Sequence, residues 1–271
     1  METDAVMTPP NFREMRVVAV RDLTPGMRRI TLAGADLARF DSHHLHVRLL
    51  FPPDGLAPGA TPCWPRLNAR GGIVWPDGRR KPDERKYTLR RVDVAAGTVD
   101  IDMVVHADTG GPGSAFAVNA KPGDAVGMAG PGGGGIGRAD WYLLAGDETA
   151  LPAIGRILEG LPPGSRGCAF IEVAGAAEEQ PLARPPGIDL QWLHRNGAPA
   201  GTTSMLADAV SAAAGPDSGS GGTVFAWAAG EFEMFRAVRR HLREDRGLGK
   251  AEHLAVAYWR RGIADNPPEE H

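Results

Sequence analysis

Arg85-Lys86-Tyr87-Thr88-Leu89-Arg90-Arg91 places a phenol, a hydroxyl and several cations within seven residues. Tyr87, Leu89 and Val92 suit a pleated, half-buried surface, so residues 86–94 read as one strand. Alternation sends Arg85, Tyr87 and Leu89 to one face and Lys86, Thr88 and Arg90 to the other, unless a bulge or bend re-aims one of them. A planar ring flanked by guanidinium groups suits a flat heteroaromatic ligand that carries a pyrophosphate. The ring can stack, the hydroxyl can meet a ring edge, and arginine can meet phosphate through paired hydrogen bonds. Taken alone, the stretch fits a solvated β-strand better than a ligand site, and its neighbours must decide.

Upstream, residues 16–23, 27–32 and 44–51 read as strands, with Asp22-Leu-Thr-Pro-Gly26 as a turn, which favours a meander. Downstream, Val99, Ile101, Met103 and Val105 alternate with Asp100, Asp102 and Val104, the mark of one buried face. A last strand follows at 123–129, and six or so antiparallel strands close naturally as a Greek-key or meander barrel. Residues 52–82 are rich in Pro and Gly, and with Trp64 and Trp75 embedded they read as an ordered excursion over the barrel rim. Asp108-Thr-Gly-Gly-Pro-Gly-Ser114 leads into a short helix over 114–119, whose free N–H groups make a ready phosphate site.

From Asp140 the pattern changes to buried apolar runs at 141–145, 167–173, 189–194, 224–228 and 253–259. Helical spacing lies between them at 149–161, 203–214 and 231–246, and the connection over 174–188 is less clear. Such alternation implies a parallel sheet with ligand at the carboxyl ends of its strands. Gly130-Pro-Gly-Gly-Gly-Gly-Ile-Gly137 is the hinge candidate. It lacks the Gly-Lys-Ser/Thr ending of a nucleotide P-loop.

The 271 residues can fill one large or two modest domains. A net charge of −3 offers no broad basic field, which argues against nucleic-acid binding. Cys63 and Cys168 are far apart and lack CxxC spacing, so zinc, iron–sulfur and disulfide frameworks are not expected. No run is long enough to span a bilayer, and residues 1–11 do not read as a signal peptide, so a soluble, cytoplasmic monomer is expected. His44 and His46 share a strand face near His43, but without a clear third ligand no metal site is expected.

Arg85-x-Tyr87-Thr88-x-Arg90 resembles the flavin-binding motif of the siderophore-interacting proteins, FAD-dependent ferric-siderophore reductases of the ferredoxin-reductase-like superfamily. Other stretches resemble that family in the same order: His46-Val47-Arg48-Leu49, residues 106–117, residues 140–154, Trp192-Leu193-His194-Arg195, Ala229-Gly230-Glu231 and Tyr258-Trp259-Arg260-Arg261-Gly262. The resemblance covers roughly residues 12 to 262. It implies β + α/β architecture, an antiparallel β-barrel FAD domain over 1–138 followed by a parallel-sheet α/β NAD(P)H domain over 139–271. It assigns FAD to Arg85, Tyr87, Thr88, Arg90, His106, Gly111, Pro112, Gly113 and Ser114. The nicotinamide nucleotide falls to Asp147, Glu148, Thr149, Ala150, Arg195, Gly230 and Glu231, and the ferric siderophore to Arg48, Arg260 and Arg261.

Electrons would pass from NADPH, or NADH, through FAD to Fe(III), with no protein acid or base required. Asp147 or Thr149 reads as the cap of the first helix of the second domain. A guanidinium at Arg195 would select the 2′-phosphate of NADPH, whereas Glu172 and Glu178 would favour NADH by accepting from ribose hydroxyls. The chain departs from the family pattern at Ala107, where glycine is common, at Phe116, where tryptophan is common, and at Gly132, where a basic residue is common. Two alternatives stay open: a related reductase with another acceptor, and a siderophore- or flavin-binding protein without turnover.

Overall fold

The computed structural model describes residues 7–53, 62–76, 81–105, 111–215 and 222–263. It resolves into two compact units, Met1–Asp22 with Arg28–Gly133, and Leu23–Met27 with Gly134–His271.

In the first unit the strands are β1 (Phe12–Thr24), β2 (Met27–Ala33), β3 (His46–Phe51), a small hairpin of β4 (Arg66–Leu67) and β5 (Ile73–Val74), β6 (Asp83–Thr88), β7 (Arg91–Asp93), β8 (Thr98–Val104) and β9 (Ala125–Gly132). Among the described residues seven of them form one sheet in the order β6-β3-β9-β1-β2-β8-β7, in which β1–β9, β3–β6, β3–β9 and β7–β8 pair antiparallel. The ends of that order, β6 and β7, are consecutive in the chain and separated only by Leu89 and Arg90, so the sheet curls into a barrel-like closure.

The single strand expected over 86–94 is therefore two. At the break, the amide of Leu89 donates to Leu45 O and that of Arg90 to Asp100 O, so the chain changes partners from one edge of the sheet to the other. Thr88 and Leu89 are both buried, which strict alternation forbids and a corner permits. The meander expected for the first three strands is also corrected. β3 pairs with β9 and β6 instead of β2, because the link from β2 runs through a 3-10 turn, Leu37–Phe40, whose Leu37 and Phe40 are buried in the barrel core. That core is filled by the inward residues of the alternating strands, among them Met15, Val17, Ile30, Leu32, Leu49, Val99, Ile101 and Met103.

In the second unit β10 (Trp141–Asp147), β11 (Arg166–Val173), β12 (Gly187–His194), β13 (Val224–Glu231) and β14 (His253–Trp259) form a parallel sheet in the order β12-β11-β10-β13-β14. Helices α2 (Leu151–Gly160), α3 (Met205–Ala212) and α4 (Phe232–Arg240) lie in the connections, and α4 continues as a wider π-turn over His241–Asp245. Between β11 and β12 there is no α-helix, only a 3-10 turn at Ala176–Glu178. Central β10 and β13 are buried almost throughout, as continuous apolar runs require. Strand order reverses beside β10, which puts the topological switch point at the carboxyl ends of β10 and β13.

Candidate functional site

In the first unit the quoted stretch meets the glycine-rich turn. Helix α1 (Pro112–Asn119) starts with Pro112 at its first turn and Gly111 as an extended N-cap. A β-carbon on Gly113 would collide with the Tyr87 hydroxyl, so glycine is what lets the phenol approach the first turn of this helix. Ser114 follows in the same turn. Tyr87 is half-buried at the rim of the core. Its ring meets Phe51 edge-on with centroids 6.1 Å apart, Phe51 meets Phe116 at 5.0 Å, and burial pushes the phenol pKa up. The phenylalanine at 116 thus keeps an aromatic contact in this row. Helix dipole, the amides of the first turn and a neutral hydroxyl converge here, a donor-rich cradle that fits a pyrophosphate-bearing cofactor. Thr88 is buried beside Tyr87. His106 and Ala107 lie outside the described residues.

The arginines of the stretch are held differently from one another. Asp102 is buried in β8 and takes Arg29 through paired bonds of 2.6 and 2.8 Å, with Arg90 Nε at 3.8 Å. Arg85 donates to Glu84 O. Arg48 pairs with Glu84 at 3.1 Å, both side chains being about half exposed, and it stands directly opposite Lys86 in the β3–β6 register. Like charges face each other there, and partial burial followed by Arg48 pulls the Lys86 pKa down. Lys86, absent from the residues picked from sequence, thus joins Arg48 on a cationic strip. Alternation across paired strands was its available signal. Gly132 ends β9 with nothing within 4 Å of where a side chain would begin.

In the second unit the switch point is built around Asp147, the last residue of β10 and only 4% exposed. Its Oδ1 accepts from the Thr149 amide (2.9 Å) and hydroxyl (2.5 Å), and its Oδ2 accepts from the Glu231 amide (3.0 Å) and Trp259 Nε1 (2.7 Å). Burial first, then the neighbouring Glu148, raise its pKa to about 6 against the pull of the Thr149 and Trp259 hydrogen bonds. The helix cap differs from expectation: α2 begins at Leu151 with Ala150 as N-cap and no side-chain bond, because Asp147 and Thr149 spend their polar groups on each other one turn earlier.

Gly230 precedes Glu231 with φ 153°, and a β-carbon on it would sit 2.7 Å from Asp147 Oδ2. Glu231 caps α4 by accepting from the amides of Glu233 (2.5 Å) and Met234 (3.4 Å), and its other oxygen accepts from the Arg261 amide (3.2 Å). The guanidinium of Arg260 lies 4.6 Å from the Phe232 ring centroid, a cation–π contact, and both Arg260 and Arg261 are exposed.

The free guanidinium expected at Arg195 is instead closed into an ion-pair cluster. Its terminal nitrogens bond both oxygens of Glu148 at 2.7 Å each, Glu172 lies 3.4 Å away, and the Arg195 side chain is 4% exposed. Burial opposes the charge, but Glu148 and then Glu172 outweigh it and raise the Arg195 pKa. Glu172 also accepts from Thr203 Oγ1, and Glu178 accepts from Thr24 Oγ1 and the Gly26 amide, so both glutamates considered for ribose recognition already have protein partners. Sequence reasoning missed these pairings and the role of Trp259, although that tryptophan stood inside a quoted motif. Among the described residues no group of three or more His, Cys, Asp or Glu is placed to hold a metal, and no helix is long and apolar enough to cross a membrane.

A barrel-like antiparallel unit with a helix-start cradle, joined in sequence to a parallel five-stranded unit with its switch point at β10 and β13, is the ferredoxin-reductase-like fold. Residues 16–135 match the profile of the siderophore-interacting FAD-binding domain, and residues 139–262 match that of the siderophore-interacting protein. The chain belongs to the siderophore-interacting protein family. It is 33% identical over 256 residues to the ferric vibriobactin reductase ViuB of Vibrio cholerae, covering 92% of this chain and 90% of that one. It is 34% identical over 189 residues to the NADPH-dependent ferric-chelate reductase of Escherichia coli, 67% of this chain and 71% of that one. The crystal structure of a siderophore utilization protein from T. fusca superposes with TM-score 0.78 at 40% identity, covering 96% and 97% of the two chains.

Proposed function

We propose that this protein is a cytoplasmic, monomeric flavoprotein reductase that takes electrons from NADPH and delivers them to a ferric siderophore, releasing Fe(II). The observation that carries the reading is the match to a ferric vibriobactin reductase across nine-tenths of both chains. FAD, when bound, supplies the coupling between a two-electron donor and a one-electron acceptor.

The chain's own residues position and select. Residues 1–138 serve the flavin. Gly111, Gly113 and Ser114 offer amides, and Ser114 a hydroxyl, at the start of α1 to a pyrophosphate, Pro112 fixes the opening of that helix, and Tyr87 and Thr88 border the turn. His106 belongs to the same set by resemblance. Arg85 and Arg90 supply positive charge, Arg90 being oriented by Asp102. Residues 139–271 serve the nucleotide, with the Asp147–Ala150 turn and Gly230–Glu231 flanking the switch point. Arg195 contributes by holding Glu148 in place. Arg48, Arg260 and Arg261 attract a bulky anionic chelate. Adding one electron lowers the charge on iron, so hard oxygen ligands hold it less strongly.

The test is a visible spectrum of the purified protein, followed by anaerobic addition of NADPH or NADH and then of a ferric siderophore. Flavin absorbance that bleaches with NADPH and returns as Fe(II) forms is the expected result. Bleaching without Fe(II) formation assigns another acceptor, and a colourless protein that FAD does not reconstitute refutes the reductase reading.

A further inference from the structure

Asp147 does more than close its own turn. Three segments that are far apart in sequence converge on its carboxylate: the 147–150 turn through Thr149, the end of β13 through the Glu231 amide, and the end of β14 through the Trp259 indole. All four partners are donors, so the two oxygens are fully used and no water is needed to satisfy them. The β13–β14 register supports the same geometry. Gly230 pairs with Ala257 but Glu231 pairs with Trp259, so Tyr258 is an extra residue that bulges β14 and brings Trp259 level with Glu231. Glu231 then carries the connection onward, since its carboxylate accepts from the Arg261 amide while capping α4. Gly201 completes the packing: a β-carbon there would fall 2.6 Å from Glu231 Cγ and 2.9 Å from Trp259 Cη2.

We propose that Asp147 is a positioning residue that locks the 147–150 turn and the Trp259–Arg261 turn together, so that the two arginines are presented in register with the nucleotide turn. Indole and carboxylate form the lock, and the β14 bulge is what aims the indole. Only the identity of what each turn binds rests on the reductase reading. The locking itself is a property of the second unit and is testable without turnover.

Trp259→Phe keeps an aromatic ring and removes a single donor. Hydrogen–deuterium exchange on the full-length protein should then speed up by about three- to tenfold in peptides covering residues 259–262 and also in those covering 146–150, the change expected on losing one charge-assisted hydrogen bond from a shared anchor. Exchange that rises only in the 259–262 peptides overturns the proposal. Asp147→Asn puts an NH2 group against two donors and should loosen both segments more strongly; where that variant does not fold, Trp259→Phe decides alone. In turnover, Trp259→Phe should raise KM for ferric citrate and for NADPH together by a similar factor with kcat little changed, whereas a rise for one substrate alone contradicts coupled positioning. A wild-type protein that reduces no ferric chelate removes the functional reading and leaves the exchange result to decide this one.

Discussion

Arg195→Met separates two roles that a cation at the end of β12 can play. The substitution preserves length and apolar bulk but removes the charge that Glu148 grips at 2.7 Å through both oxygens and that Glu172 meets at 3.4 Å. It leaves two carboxylates facing the same space, with side chains 16% and 5% exposed. Breaking a buried ion pair costs about 3–5 kcal/mol, and the partial exposure of Glu148 places the cost near the lower end, about 3 kcal/mol. For a unit of this size that corresponds to a fall in unfolding midpoint of roughly 10 °C.

The assay is thermal unfolding followed by circular dichroism, paired with KM for NADPH and NADH. Glu148→Gln combined with Arg195→Met should destabilise less than the sum of the single variants, because removing either partner already breaks the shared pair. The expected pattern is a large drop in midpoint with similar changes in both KM values. A midpoint within about 2 °C of the parent, together with a more than tenfold loss of preference for NADPH, would refute the structural role and restore Arg195 as the reader of a 2′-phosphate.

Gly113→Ala should weaken FAD binding several-fold by forcing the Tyr87 hydroxyl away from α1, an overpacking penalty of about 1–3 kcal/mol. Tyr87→Phe should recover much of the loss in the double variant, as read by flavin fluorescence titration; no recovery means the collision is not the cause. Asp102→Asn leaves Arg29 and Arg90 beside a neutral side chain in a mostly buried site and should lower stability by about 3 kcal/mol in chemical denaturation, with a matching fall in FAD affinity if Arg90 needs Asp102 for its orientation. Asp147 titrates near 6 in the folded protein against 3.8 for the ordinary carboxyl. The native state therefore binds the extra proton, and the contribution to stability is fully present below pH 3.8 and lost as pH rises through about 6. The difference in unfolding free energy between the parent and Asp147→Asn should shift in the parent's favour by about 2 kcal/mol on going from pH 7 to pH 4, and a pH-independent difference would contradict it.

Local pattern carried much of the fold. Alternation in β8, the unbroken apolar runs of β10 and β13, and the helical spacing of α2 to α4 are short-range properties, and each is legible because a periodic side-chain pattern encodes one buried face. The motifs also contain residues that the structure brings together: Tyr87 meets the start of α1, and the 147–150 turn sits beside Gly230–Glu231 at the switch point.

What the sequence by itself determined is therefore the type and order of the elements, the change from antiparallel to parallel architecture near residue 140, and the family to which the motifs belong. Only the tertiary structure decided which strands pair, where the chain turns the barrel corner at Leu89–Arg90, and which partner each charge takes. Periodicity reports how a residue faces its own element, whereas most partners of Arg195, Asp102 and Asp147 come from distant segments of the chain, as far as 112 residues away for Trp259. Whether a guanidinium stays open to a phosphate or closes on two glutamates depends on that long-range arrangement, since burial makes an unpaired charge costly and a paired one tolerable.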